Sequence, residues 1–242
     1  MSLLRASVPI VFVGLALSSC DSKAPPPVGA QSFAAAADTP ILKIAVGDFW
    51  KYEVRVEIPA GVTGREAAAV DVSHQRLRTY LGKVPLIEGE SEADCFEVST
   101  PGSPAIREFV AIWDDRVELL GEMLMKGPES RPIIFPKPIV FVRAGLRAGD
   151  SIEMPALAFE GTGMVAPRSC RVIGREEIEV PAGKFQTIRM LMGAVDGKIE
   201  TRRLIWFSPG CGIVREERVR YADGRIIVRE THVLTETGHG KD

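Results

Sequence analysis

The sequence is poor in the features that mark most enzymes and membrane-spanning proteins. Only 3 of its 242 residues are histidine, and it contains no GxSxG, HExxH, Walker loop or GxGxxG behind a strand. Hydrolase, metalloprotease and nucleotide-binding signatures therefore have no foothold. Neither sign of charge is in excess: 30 Lys and Arg stand against 32 Asp and Glu, a net charge of −2. Nothing basic draws such a chain to nucleic acid. Long apolar runs are missing too, since a membrane-spanning helix needs roughly 20 residues. The run Val8–Leu17 is far shorter, and Pro132–Val142 is broken by prolines and Lys137. No segment of helical length carries a 3.6-residue apolar stripe.

What the sequence does contain is strand pattern. Between Phe49 and Ile58, one face collects Trp50, Tyr52, Val54, Val56 and Ile58, and the other Lys51, Glu53, Arg55 and Glu57. This period-two alternation predicts a half-buried strand. Further strands are expected over Val70–Leu81, Asp94–Thr100, Ile106–Trp113 and Arg116–Met125 in the first half. The second half adds Ser169–Val180, Phe185–Val195, Ile199–Phe207, Ile213–Tyr221 and Arg225–Thr235. Asp196-Gly197 and Asp223-Gly224 predict hairpins through type I′ turns. The expected fold class is all-β: an antiparallel curved sheet, as an open half-barrel or a sandwich. Interleaved charges such as Arg215-Glu216-Glu217-Arg218 and Glu200-Thr201-Arg202-Arg203 read as a solvated sheet face. Cross-strand ion pairs there contribute about 0.2–1 kcal/mol each.

The two halves resemble one another. An offset of about 92 residues lays Tyr80-Leu81-Gly82 over Val172-Ile173-Gly174 and, one residue further on, Ile112-Trp113 over Ile205-Trp206. The alternative is chance matching among β-rich segments. On the repeat reading, residues 40–130 and 131–235 form two tandem units of about five strands, joined edge to edge or packed as a sandwich, and 236–242 a disordered tail.

The N-terminus carries an address. Leu17-Ser18-Ser19-Cys20, behind Arg5 and the run Val8–Leu17, resembles the lipobox of bacterial lipoproteins. Residues 1–19 are then a signal peptide and 20–39, with Pro25-Pro26-Pro27, a flexible tether. The resemblance implies a diacylglycerol on the Cys20 sulfur and a further acyl chain, such as palmitate, on its amine. Two or three chains anchor stably where one is marginal. Asp21 resembles the inner-membrane retention signal of enteric lipoprotein sorting, which favours the inner over the outer membrane, on the periplasmic side. An ordinary secretory signal or a membrane anchor is the alternative. Removing Arg5 with the signal leaves a mature net charge of about −3.

A second resemblance covers about 40 residues of the C-terminal half. Val180-Pro181-Ala182-Gly183-Lys184-Phe185, followed by Ile205-Trp206-Phe207-Ser208-Pro209-Gly210-Cys211-Gly212, is similar to a pattern in uncharacterised envelope β-lipoproteins. It implies a curved half-barrel of the lipoprotein-carrier type and no established reaction. Cys211 departs from that pattern. With Cys20 acylated, Cys95, Cys170 and Cys211 remain, enough for one disulfide. Cys170 with Cys211 is the favoured pair because both fall in the second half. Zinc and CxxC spacings are absent, and neither a metal nor another cofactor is expected.

Two readings of the apolar stretch Pro132–Val142 stand side by side. With Met123 and Met125 before it, it lines an apolar groove through Ile133, Phe135 and Phe141, or it is a covered linker packed on the sheet edge. His74 and His232 read as surface or half-buried strand residues, and His239 as part of the tail. The functional expectation is a non-catalytic, lipid-anchored envelope protein. Its partners are the membrane, through Cys20, and a lipid or protein on the concave sheet face. A purely structural envelope component is the first alternative. A hydrolase with an unrecognised carboxylate or histidine site is the second.

Overall fold

A computed structural model of the chain describes residues 40–62, 69–87, 91–154 and 169–240. Cys20, Asp21, the signal peptide and the tether lie outside these residues. Among the described residues every regular element is a strand: β1 (Asp48–Ile58), β2 (Val70–Ile87), β3 (Ser91–Ser99), β4 (Ile106–Ile112), β5 (Arg116–Leu124) and β6 (Ile133–Arg143). After these come β7 (Ser151–Glu153), β8 (Ser169–Val180), β9 (Gly183–Asp196), β10 (Ile199–Ser208), β11 (Gly212–Ala222) and β12 (Arg225–His239). All twelve belong to one antiparallel sheet in the order β6-β5-β4-β3-β2-β1-β12-β11-β10-β9-β8-β7. Each half is a meander, and the halves join edge to edge where β1 pairs with β12 from Asp48↔His239 to Glu57↔Arg229.

Four expectations change here. Each half supplies six strands rather than five, and the boundary between halves falls after β6, not at residue 131. The supposed linker Pro132–Val142 is an edge strand hydrogen-bonded to β5. Its prolines suit that position, since proline cannot serve in a central ladder and blunts an open edge. The tail is also strand as far as His239: Glu236, Thr237 and Gly238 pair with Lys51, Trp50 and Phe49, and Gly240 N–H donates to the Gly47 carbonyl. Polar, small residues there mislead because a ladder is held by backbone groups, which composition does not report.

The turns follow their residues. Asp223 and Gly224 both have positive φ, 48° and 74°, between the paired Ala222 and Arg225. That is the type I′ signature. The other hairpin is shifted by one residue: Asp196 pairs with Ile199, and of the central Gly197 and Lys198 only Gly197 is left-handed.

The sheet curls until its distant strands touch. Seven strands separate β6 from β10 in the sheet order, yet Phe141 and Phe207 meet edge to face with ring centroids 6.1 Å apart. Residues 41–42 strap the curl at one end. Ile41 N–H donates to the Asp114 carbonyl in the β4–β5 turn, and Gly210 N–H in the β10–β11 turn donates to the Ile41 carbonyl. Tyr52 Oη and Trp50 Nε1 from β1 reach the carbonyls of Ile213 and Cys211, fixing the same end. The main core lies against this strap and includes Leu42, Trp50, Phe96, Ile139, Val142 and Ile205.

Cys95, Cys170 and Cys211 are free thiols, so the expected Cys170–Cys211 bridge is absent. Cys170 aligns through Met192 with Arg203, whereas Cys211 follows the end of β10 at Ser208. Two strand spacings and at least five residues of strand separate them, roughly 10 Å by 16 Å. A disulfide needs Cα atoms within about 7 Å.

Candidate functional site

The concave face encloses a cavity of about 820 Å³. Its strap end is apolar, with Leu42, Tyr52, Val117, Ile139, Phe141 and Phe207 in the wall. Alternation along the strands then brings an unusual set inward: five arginines, at 76, 78, 203, 218 and 220, and four glutamates, at 108, 122, 216 and 230. The interleaved charges of the second half are therefore not one solvated face. Arg203, Glu216 and Arg218 turn into the cavity, while their neighbours Arg202, Arg215 and Glu217 turn away from it.

Most of these charges are paired. Glu216, 5% exposed, accepts two bonds from Arg203, at 2.7 and 3.0 Å, and a contact from Arg218 at 3.1 Å. Burial opposes its ionisation, but the two guanidiniums outweigh this and hold its carboxyl well below the usual range. Glu230, hydrogen-bonded by His232 and flanked by Arg218 and Arg220, is lowered to about 2 despite burial. Arg78 pairs with Glu108 at 2.9 Å and lies over the Phe96 ring, 3.7 Å from its centroid. Glu122 differs. It stands opposite Glu108 in the β4–β5 ladder, and burial together with the Glu108 charge raises it to about 7.

Two groups on β2 are left with unused capacity. Arg76 has no carboxylate partner among the described residues; it donates to Thr100 Oγ1 and to His232 Nδ1, each at 3.3 Å. The other nitrogen of His232 faces Glu230 at 3.4 Å, which in the neutral ring is the Nε2–H tautomer. Burial, then the like charge of Arg218, pushes Arg76 below the ordinary guanidinium value. Two residues back on the same face, His74 lines the cavity with a buried Nε2 that has no hydrogen-bond partner. His232 is buried, His74 half-buried, and His239 makes a 2.9 Å contact with Asp48 at the end of the sheet.

The groove expected from Met123, Met125, Ile133, Phe135 and Phe141 is not one surface. Phe135 and Phe141 line the cavity. Met123 points to the opposite face, into a separate hollow of about 310 Å³ with Val84, Leu86, Phe109 and Pro132. Met125 is half-buried beyond the end of β5, its N–H on the Ala105 carbonyl, and Ile133 is half-buried where β6 begins. Met123 follows the inward Glu122, so strand alternation turns it outward, and bulges in the β5–β6 pairing shift the register beside it. The sequence did hold a signal for the charged lining. Strands β10 and β11 carry charge on both faces, and a sheet with one solvated face has no use for that.

Among the described residues no cluster of His, Cys, Asp and Glu suits a metal, and no helix is long and apolar enough to cross a membrane. No family model and no curated protein matches the chain. Two solved structures are similar to it. One is a protein from Bacteroides fragilis described as exported and of YmcC-like fold, at TM-score 0.46 and 12% identity over 83% of this chain and 99% of that one. The other is a protein from Parabacteroides distasonis described as a lipoprotein, at TM-score 0.43 and 14% identity with the same coverage. At such scores and identities neither likeness carries a function across.

Proposed function

We propose that the chain is a lipid-anchored envelope protein, held by acylated Cys20 on the periplasmic side of a membrane, whose curled sheet binds an amphiphilic ligand without transforming it. The observation that carries this reading is the cavity. Its volume of about 820 Å³ falls in the range of ligand pockets, about 300–1,000 Å³. A sheet serving only as scaffold would fill that space with side chains. The apolar strap end and the charged middle together suit a molecule with a hydrocarbon part and a polar part. Native mass spectrometry of the full chain, with a fluorescent fatty acid as added probe, tests it. One bound amphiphile per chain is expected; neither co-purified lipid nor probe uptake would contradict the reading. Cys20→Ser is expected to move the protein from the membrane to the soluble fraction.

One observation favours a second reading. Glu108 and Glu122 are cross-strand neighbours in the cavity, and an acid titrating near 7 beside a second carboxyl is the arrangement of general acid–base catalysis. Turnover of nitrophenyl esters or glycosides, lost in Glu122→Gln with the fold intact, would support a hydrolase. No turnover by the wild type leaves binding as the function.

A further inference from the structure

We infer that the cavity takes an anionic amphiphile, a single hydrocarbon chain ending in one oxyanion, with the oxyanion on Arg76 and His74 and the chain running toward Leu42. This rests on the binding reading above and names its ligand class.

The charges of the lining do not balance. Five arginines face four glutamates, and Glu122, at about 7, is half protonated at neutral pH. The interior thus carries a surplus of positive charge in a place where burial makes unpaired charge costly. An anionic guest removes that surplus, whereas a cationic one adds to it.

The surplus has an address. Arg78 is covered by Phe96 and paired with Glu108, and Arg203, Arg218 and Arg220 share Glu216 and Glu230. Arg76 alone among the five makes only bonds to neutral acceptors. A guanidinium has five N–H donors, so most of its capacity is open. His74 Nε2, buried and unpartnered, stands on the same face of the same strand. A carboxylate or phosphate between them satisfies both with charge-assisted bonds.

The direction of the chain follows from the ladder. Arg76 sits opposite Tyr52, and His74 opposite Val54. From that level toward the strap the wall passes the paired Arg78 and Glu108 and the neighbouring Glu122, then turns to Phe96, Val110, Val117, Ile139 and Phe207 and ends on Leu42. Toward the other rim it is mixed, with Thr100, Ser103, Thr201 and Arg220. Val56, Ile106 and Ile199 interrupt that rim, but the continuous, more deeply buried apolar wall, and so the better seat for hydrocarbon, lies in the first direction.

The test is a headgroup series at constant chain length, titrated into the full chain carrying Cys20→Ser so that no acyl anchor competes: palmitate, hexadecyl phosphate, hexadecanol and hexadecyltrimethylammonium. Palmitate or the phosphate is expected to bind at least about tenfold more tightly than either of the others, and the stronger of the two tells a carboxylate site from a phosphate site. Arg76→Gln is expected to weaken the anions by about 10-fold or more and to leave hexadecanol unchanged, with partial recovery in Arg76→Lys. Equal binding of hexadecanol and the anions by the wild type overturns the headgroup assignment whatever the variants do. Unchanged anion binding in a folded Arg76→Gln overturns it as well, while the cavity reading survives. Should none of the four probes bind the wild type, the binding reading itself falls.

Discussion

Glu122 and Glu216 share one cavity and respond to pH in opposite senses. Burial and the nearby Glu108 raise Glu122 from 4.5 to about 7 in the folded protein, so folding favours its protonated form. Its contribution to stability is complete below about pH 4.5 and is lost as pH rises through 7. Glu122→Gln, neutral at every pH, is therefore expected to be more stable than the wild type at pH 8 by about 1–3 kcal/mol and nearly equal to it at pH 4, as read by urea denaturation at both values. Glu216 is held ionised by Arg203 and Arg218, so its contribution is present above about pH 4.5 and fades as pH falls below that value. Glu216→Ala strips a buried carboxylate from between two guanidiniums and is expected to cost about 3–5 kcal/mol at pH 7. Neither residue was visible as an inward charge in the sequence. Glu216 sits between Arg215 and Glu217, and composition cannot say which of adjacent charges turns in; Glu122, between Gly121 and Met123, lies at the edge of an apolar run where a lone charge reads as solvent-facing.

Strand elements were legible wherever alternation or turn chemistry was strong. Ser169–Val180 matches β8 to the residue, and β4, β5 and β10 agree to within one residue at each end. What escaped was decided by partners rather than by pattern. The strand β7 has only three residues and exists because it pairs with Ser169–Arg171 on β8. Similarly, β12 extends to His239 because β1 offers an open ladder. Removing residues 236–242 is thus expected to lower the melting temperature by several degrees, where loss of a disordered tail would leave it unchanged. Gly121 of β5 is a further element-level device. A Cβ there would press into the Ile133 carbonyl and come within 3.0 Å of the Ile134 Cα, so only glycine lets β6 approach at the bulge. Gly121→Val is expected to cost about 1–3 kcal/mol and to raise amide exchange across β6 with little effect on β9–β11. Uniform exchange across the sheet would contradict this.

At the scale of the molecule, a twelve-stranded sheet needs a device to finish its curl, since long twisted sheets coil but leave two edges. The strap at residues 41–42 ties the β4–β5 turn to the β10–β11 turn. On the other side, the segment after β6 crosses to the far edge, where Gly149 donates to the Val172 carbonyl and Val172 to that of Asp150. With both in place the curl walls the cavity on both sides, as amphiphile binding there requires. Methyl NMR of the full chain labelled at its methionines tests it most directly, because Met192 lines the cavity while Met123 lies in the outer hollow. On titration with palmitate, the Met192 methyl is predicted to shift and saturate at one equivalent while that of Met123 stays in place. A shift of Met123 with Met192 unmoved would put the ligand on the wrong face of the sheet and contradict the account.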